Sequence, residues 1–441
     1  MKKFFANIGM FFSVLFFTQS VNAQAIYKFD FGTGKVASGY QQVTATSLYS
    51  DKSGYGFDYG TQAIAIDRGG DDALTSDFCT SIGSMFFSVK LPQGNYRVTV
   101  HLGDKLRSSV TTIKAESRRL MCKEVVTKPG EFKAVSFIVS VWDSIIDAHH
   151  VVKLKPREVD KLDWDNKLTL EFSNTAVCVD GIEIQKVDHV PTVFLSGNST
   201  VTDQQLEPWS CWGQMFPSFF NSNIAIADMA ASGETLRSSF SRKRLSKIAS
   251  LLKPGDYLFI EFAHNDQKKG SGEEPYTTYN KYLKIFIDSA RAHQAIPVLV
   301  TSTCRRDFDK NGKVINTLGE FPAAMRYEAK KDNVTLIDLN KMTKILYEAY
   351  GEESSKKLFV QFPAGTFPGQ NITLADNTHF SGFGAYELAK CMVEGVRNSN
   401  LDFKNAIKKN VKIFDPAKPD NFENWDLPFT PMFTSVKPYG N

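Results

Sequence analysis

The sequence predicts an α/β chain built from two unlike folds in series: an antiparallel β-sandwich of about one jelly roll in length, then a unit with a doubly wound parallel sheet. Three observations predict it. From Ala25 to about Val187 the chain is a series of short alternating apolar runs separated by Gly, Pro, Asn and Asp, with no helical period. After Pro191 short continuous apolar runs alternate with amphipathic helical segments. The 441 residues also exceed what one hydrophobic core organises, roughly 250–300.

The elements follow in order. Lys2 and Lys3 precede an apolar run from Phe4 to Phe17 and a small-residue exit at Val21-Asn22-Ala23, the pattern of a signal peptide over residues 1–23 and of an exported protein. The run is interrupted by Asn7 and falls short of the roughly 20 apolar residues of a membrane span. The first cysteine is Cys79, so a lipid anchor at the cleavage point is not expected, and no later stretch has the length of a membrane anchor. The sandwich, residues 24–188, is read from Ala25–Gly32, Met85–Val89, Tyr96–Val100, Phe132–Val141, Leu168–Phe172 and Val179–Ile184. Parallel strands are expected at Thr192–Leu195, Ile224–Ala227, Tyr257–Phe262, Val298–Ser302 and Thr335–Leu339, with helices such as Ser241–Leu252 and Tyr276–His293 between them, filling a domain over 189–412. A tail over 413–441, rich in Pro and aromatics, is too apolar to stay free and is expected to pack back across a domain.

Composition narrows the function. The formal charge of +4 loses two with Lys2 and Lys3, too near neutrality for a nucleic-acid partner. The six cysteines form no CxxC pair and read as buried thiols; no metal site and no cofactor is expected. The basic run Arg242-Lys243-Arg244 with Lys247 reads as a solvated helix face.

Ligands of a doubly wound sheet bind beyond the carboxyl ends of its strands, so polar residues there carry weight. The first strand runs into Ser196-Gly197-Asn198-Ser199-Thr200, where Gly197 allows a sharp turn and Ser199 is presented at the rim. The second leads to Ser232-Gly233-Glu234 and the third to His264-Asn265-Asp266. Asp376-Asn377-Thr378-His379 forms a turn entering a helix capped by Ser381. A serine hydroxyl needs a base to take its proton, and an imidazole base needs an acceptor to fix its tautomer. Ser199, His379 and Asp376 supply those three parts. The Ser199 N–H, the Gly233 N–H and the Asn265 side chain are candidate oxyanion donors. Trp209 and Trp212 form either a sugar-stacking wall or part of the core. Arg237, Arg305 and Arg306 follow strand ends and are candidates to meet a sugar carboxylate. His264 reads as core or as support for the site, with a structural hydrogen bond.

The blocks Phe194-Leu195-Ser196-Gly197-Asn198-Ser199-Thr200-Val201-Thr202-Asp203, Gly233, His264-Asn265-Asp266 and Asp376-x-x-His379 resemble those of the SGNH, or GDSL-like, hydrolases. With Trp212-Gly213-Gln214-Met215 and Thr378-His379-Phe380, they are most similar to rhamnogalacturonan acetylesterases. That resemblance covers about Pro191–Asn400. It implies a flavodoxin-like three-layer fold, a metal-free serine mechanism, and acetylated pectic polysaccharide as the partner. The family has Asp where this chain has Asn198, and commonly Gly where it has Ala263; Asn keeps the turn geometry and removes a charge. Phe29-Asp30-Phe31-Gly32, Gly54-Tyr55-Gly56-Phe57 and Gly94-Asn95-Tyr96 resemble galactose-binding-like jelly rolls, which implies either a sugar-binding module or a scaffold for the cleft. Two other functions stand beside this: a glycan-binding protein whose esterase site has decayed, of which Asn198 would be the trace, and a lipase or thioesterase. The retained Ser199, Asp376, His379 and Asn265 oppose the first. The polar and aromatic stretch Asp203–Trp212, suited to a short acyl group, opposes the second.

Overall fold

A computed structural model describes residues 26–438, so segment 1–23, expected from the sequence to be a signal peptide, lies outside the described residues. The first half is a sandwich of two sheets. One runs in the order 132–141, 94–103, 179–187, 26–31, 41–43, with 63–67 and 77–81 attached; the other runs 55–58, 85–90, 167–173, 109–115, 119–127. Pairing is antiparallel except between Ile26–Phe31 and Gln41–Val43. Alternation in the sequence sets the two faces: along Gly94–Gly103, Tyr96, Val98, Val100 and Leu102 are buried while Arg97, Thr99 and His101 are not. The inward rings of Phe29, Phe31, Phe57 and Phe87 pack together between the sheets.

From Thr192 the architecture changes to a five-stranded, wholly parallel sheet in the order 225–228, 192–197, 257–261, 296–300, 335–337. This is a three-layer arrangement, because alternate residues of each buried strand face different helices. Val193, Leu195 and Phe259 join the core with helix Gly382–Arg397, and Phe194, Leu258 and Ile260 join the core with helix Asn280–Ala292. The strand order reverses around Thr192–Gly197, which places a crevice at its carboxyl end.

Three expectations need correction. Arg244 and Lys247 are buried, not solvated: their helix, Arg244–Leu251, packs on the sandwich, where Arg244 pairs with Glu158 and Lys247 with Asp143 (3.1 Å). Asp376 and His379 lie in a strand, Leu374–Phe380, paired with Phe359–Phe362, and the helix begins only at Gly382. Gly197 has no left-handed backbone; glycine is needed there because a Cβ would fall 2.5 Å from the Val201 side chain.

The two halves share material. Leu120 of the sandwich lies in one core of the parallel-sheet half and Trp142 in the other. The tail packs back across both: Thr430 bonds Glu171 (2.6 Å), Lys114 bonds the Pro428 carbonyl (2.8 Å), and Trp425 lies on Phe383 and Tyr386. All six cysteines are buried and free.

Candidate active site

The turn after the first parallel strand is shaped by its own side chains. Asn198 Oδ1 accepts from the Thr200 N–H (3.0 Å) and hydroxyl (2.9 Å), so the residue serves as an acceptor, a role aspartate would also fill. Thr200 in turn reaches Glu261 at the end of the central strand (3.0 Å), and Glu261 accepts from the Trp212 indole (2.7 Å). Burial pushes Glu261 up to about 7. A protonated Glu261 suits the geometry, since the single Thr200 hydrogen cannot serve two acceptors at once. Gly213 follows from close approach: a Cβ there would fall 2.3 Å from Asp228 Oδ2.

Ser199, 2% exposed, lies 2.9 Å through Oγ from His379 Nε2, and His379 Nδ1 lies 2.8 Å from Asp376 Oδ2. The other carboxylate oxygen of Asp376 accepts from the backbone N–H groups of Thr378 (2.7 Å) and His379 (2.9 Å). Burial alone would raise the Asp376 carboxyl, but the hydrogen bond and charge of His379 and those two N–H groups outweigh it and hold the group far below the ordinary carboxylate range. Such a carboxylate stays ionised and fixes the imidazole tautomer with Nδ1 protonated.

Gly233 has φ +75° in the turn after the second strand. Asn265 donates one N–H of its amide to the Glu234 carbonyl (2.9 Å), which leaves a second donor on the same nitrogen. His264 is fully buried; burial and the charges of Arg305 and His379 keep its ring neutral, and neither ring nitrogen has an aligned hydrogen-bond partner.

The expected sugar-binding residues fare less well. Trp212 is fully buried, bonded to Glu261 and packed on Phe216, because its helix faces inward; it is core. Trp209 is buried too: its N–H meets the Thr434 carbonyl (3.2 Å) and its ring stands perpendicular to His379, centroids 5.8 Å apart, leaving little face for a sugar. Arg237 is engaged by Glu273 (2.8 Å) and the Ser271 carbonyl. Arg306 is held by Ser355, Asn377 and Glu352. Arg305 bonds Thr378 Oγ1 (3.2 Å) and the His264 carbonyl (3.3 Å), so it and Arg306, through Asn377, both touch the strand that carries Asp376 and His379.

Sequence reasoning missed Lys437, whose ammonium lies 3.2 Å from Asp376. It also missed Arg118 and Arg119 of the sandwich, which bond the segment after the Ser199 turn. No local signal marks these residues, since each acts on a partner far along the chain. A cleft of about 410 Å³ opens beside Trp209 and Ser232, lined also by Arg157, Lys161, Gln204 and Lys437. Among the described residues no group of three or more His, Cys, Asp or Glu is placed to hold a metal ion, and no helix is long and apolar enough to cross a membrane.

Comparison with known proteins adds to this geometry. A family model described as GDSL-like Lipase/Acylhydrolase matches residues 192–392, and one described as Beta-agarase/YXIM esterase-like, galactose-binding domain-like matches residues 27–121. Rhamnogalacturonan acetylesterase RhgT of Bacillus subtilis (strain 168) is 45% identical over 215 residues, which make up 48% of this chain and 92% of that protein. The uncharacterized esterase YxiM of the same organism is 25% identical over 418 residues, 91% of this chain and 99% of that one.

Proposed function

Because the chain belongs to the GDSL-like hydrolases, alongside the rhamnogalacturonan acetylesterases, and is a serine esterase with a galactose-binding-like domain in front, we propose that it is exported and removes acetyl groups from pectic rhamnogalacturonan by a Ser199–His379–Asp376 mechanism. The observation that carries the mechanism is the unbroken relay from Asp376 through both ring nitrogens of His379 to Ser199 Oγ. His379 Nε2 takes the hydroxyl proton as Oγ attacks the acetyl carbonyl, and Asp376 stabilises the imidazolium that forms. The oxyanion is held by the Ser199 N–H, the Gly233 N–H and the Asn265 amide. Collapse returns the proton to the departing sugar oxygen and leaves acetyl-Ser199. Water, deprotonated by the same imidazole, then releases acetate.

The substrate class is supported by the names of the relatives and by charge. Lys437 on Asp376, Arg305 on Thr378 and Lys268, which feels the charge of both, gather three cations around the mouth, a field suited to a polymer bearing uronate groups. The neighbouring cleft sets Arg157, Asp160, Lys161 and Gln204 beside the apolar Leu206, Val436 and Pro438. The galactose-binding-like domain suggests a carbohydrate substrate in its own right. Export follows from the leader over residues 1–23.

Acetate release from acetylated pectic rhamnogalacturonan, compared between the mature chain and Ser199→Ala, tests the reading. Release by the first and none by the second is expected. Equal release by both would overturn the mechanism, and cleavage of a chromogenic acetate without release from the polymer would overturn the substrate.

A further inference from the structure

In the sandwich, the turn Glu116-Ser117-Arg118 joins the strands Ser109–Ala115 and Arg119–Thr127. Glu116 and Arg118 both hold left-handed backbone, with φ of 54° and 63°. Glycine or asparagine adopts that conformation at far lower cost, so the backbone strain at Glu116 and Arg118 is tolerated for what their side chains hold.

Arg118 is buried between the two halves of the protein. Its Nη1 donates to the carbonyls of Gln204 (3.0 Å) and Trp209 (2.8 Å), and its Nη2 pairs with Glu207. One guanidinium therefore closes both ends of the segment that follows the nucleophile turn. Arg119 holds the residue before that segment, meeting Asp203 through Nε (2.9 Å) and Nη2 (2.8 Å) while lying over the Trp142 ring. At its far end the segment is fastened to the strand of the base: the Ser210 N–H donates to the Phe380 carbonyl (2.9 Å), next to His379. Between these fixed points Trp209 stands against the His379 ring. The two hydrogen bonds of His379 lie near the line through its nitrogens and resist tilting about that line only weakly, whereas an indole packed on the ring blocks it.

We propose that Arg118, a residue of the sandwich, is a positioning residue for the esterase, setting His379 against Ser199 by holding the Trp209 segment in place. The galactose-binding-like domain is then part of the frame of the active site. This rests on His379 serving as base to Ser199.

The test uses the full chain and a chromogenic acetate ester, with Arg118→Met, Arg118→Lys, Trp209→Ala and the double variant Arg118→Met/Trp209→Ala. Arg118→Met is expected to lower kcat by roughly 10- to 100-fold with KM little changed, the scale of a misplaced catalytic group. It should also move the acid limb of the pH–rate profile. Trp209→Ala should do the same, the double variant should be no worse than the worse single one, and Arg118→Lys should recover part of the loss. A wild-type kcat and pH profile in Arg118→Met, a loss confined to KM, or single losses that multiply in the double variant would each overturn the proposal. If Arg118→Met does not fold, Trp209→Phe is set against Trp209→Ala: a higher kcat in the phenylalanine variant supports the proposal and equal values overturn it. Activity in the wild type that Ser199→Ala abolishes and Arg118→Met leaves intact would sink the positioning role alone. Activity that persists in Ser199→Ala would remove the mechanism and this proposal with it.

Discussion

From Tyr96 to Leu102 the strand Gly94–Gly103 is buried at every second residue, whereas the strands Thr192–Gly197 and Tyr257–Glu261 are buried throughout. The difference teaches where chemistry can sit. Along a strand such as Gly94–Gly103 one face is free to be polar at little cost, so the polar residues on that face signify little, unlike those of Met85–Lys90 and Lys167–Ser173, which are covered on both faces. In the parallel sheet both faces are covered, and an interior polar group must be bonded or must have a task. Ser199, Asp228 and Glu261 occur where that constraint meets the crevice, at or just past the carboxyl ends of three adjacent strands. If this division of labour holds, damage at those strand ends changes the rate and damage in the sandwich core changes only stability.

The largest effect is expected from Asp376→Asn. It leaves the shape intact but removes the charge that fixes the His379 tautomer, and kcat should fall by about 10⁴-fold with little change in melting temperature. Kinetics beside a thermal melt check this; a change of tenfold or less would mean that the strand-end cluster is structural. Next is Phe87→Ala, which empties the meeting point of Phe29, Phe31 and Phe57. Stability measured by urea unfolding should drop by about 3–5 kcal/mol while kcat of the folded protein stays the same. A fall in kcat would break the comparison. Asn265→Ala should raise the barrier by about 2.7–4 kcal/mol, seen as a loss in kcat larger than any change in KM.

The smallest effect concerns Glu261. In the native state it keeps its proton up to about 7, against an ordinary value of 4.5. Between those values the folded chain binds one more proton than the unfolded chain, so stability falls as pH rises through the window. Glu261→Gln should flatten that part of a plot of melting temperature against pH, and a slope no different from the wild type would assign the window to other groups.

The same contrast explains what was legible in advance. Alternating and continuous apolar runs announced the two folds. The strand-end blocks pointed to Ser199 and Asn265, because polar residues that abruptly end an apolar run are visible locally, whereas His379 was read from a turn before a helix and lies in a strand. The tail's return was legible from its aromatics, although the Lys437–Asp376 pair it delivers was not. The burial of Arg244 and Lys247 was hidden, since a charged side chain reads alike on a solvent face and against a neighbouring domain, and for Trp212 the sequence left core and sugar wall open. Arg119 and Asp203, paired 84 positions apart, were invisible for the same reason.

The connection at Asp188–Pro191 is mostly exposed, and it would be the natural place to divide the protein into two clones. Yet Leu120 and Trp142 belong to cores on the far side of that cut, and Arg118 and Arg119 neutralise Glu207 and Asp203 there. A protease that severed the connection would leave two fragments held together by a shared interior and by buried charges that neither half satisfies alone. The chain is thus built as a split enzyme whose halves happen to be covalently joined: nicked, it should stay assembled, and the second fragment made by itself should be stable only when the first is added back.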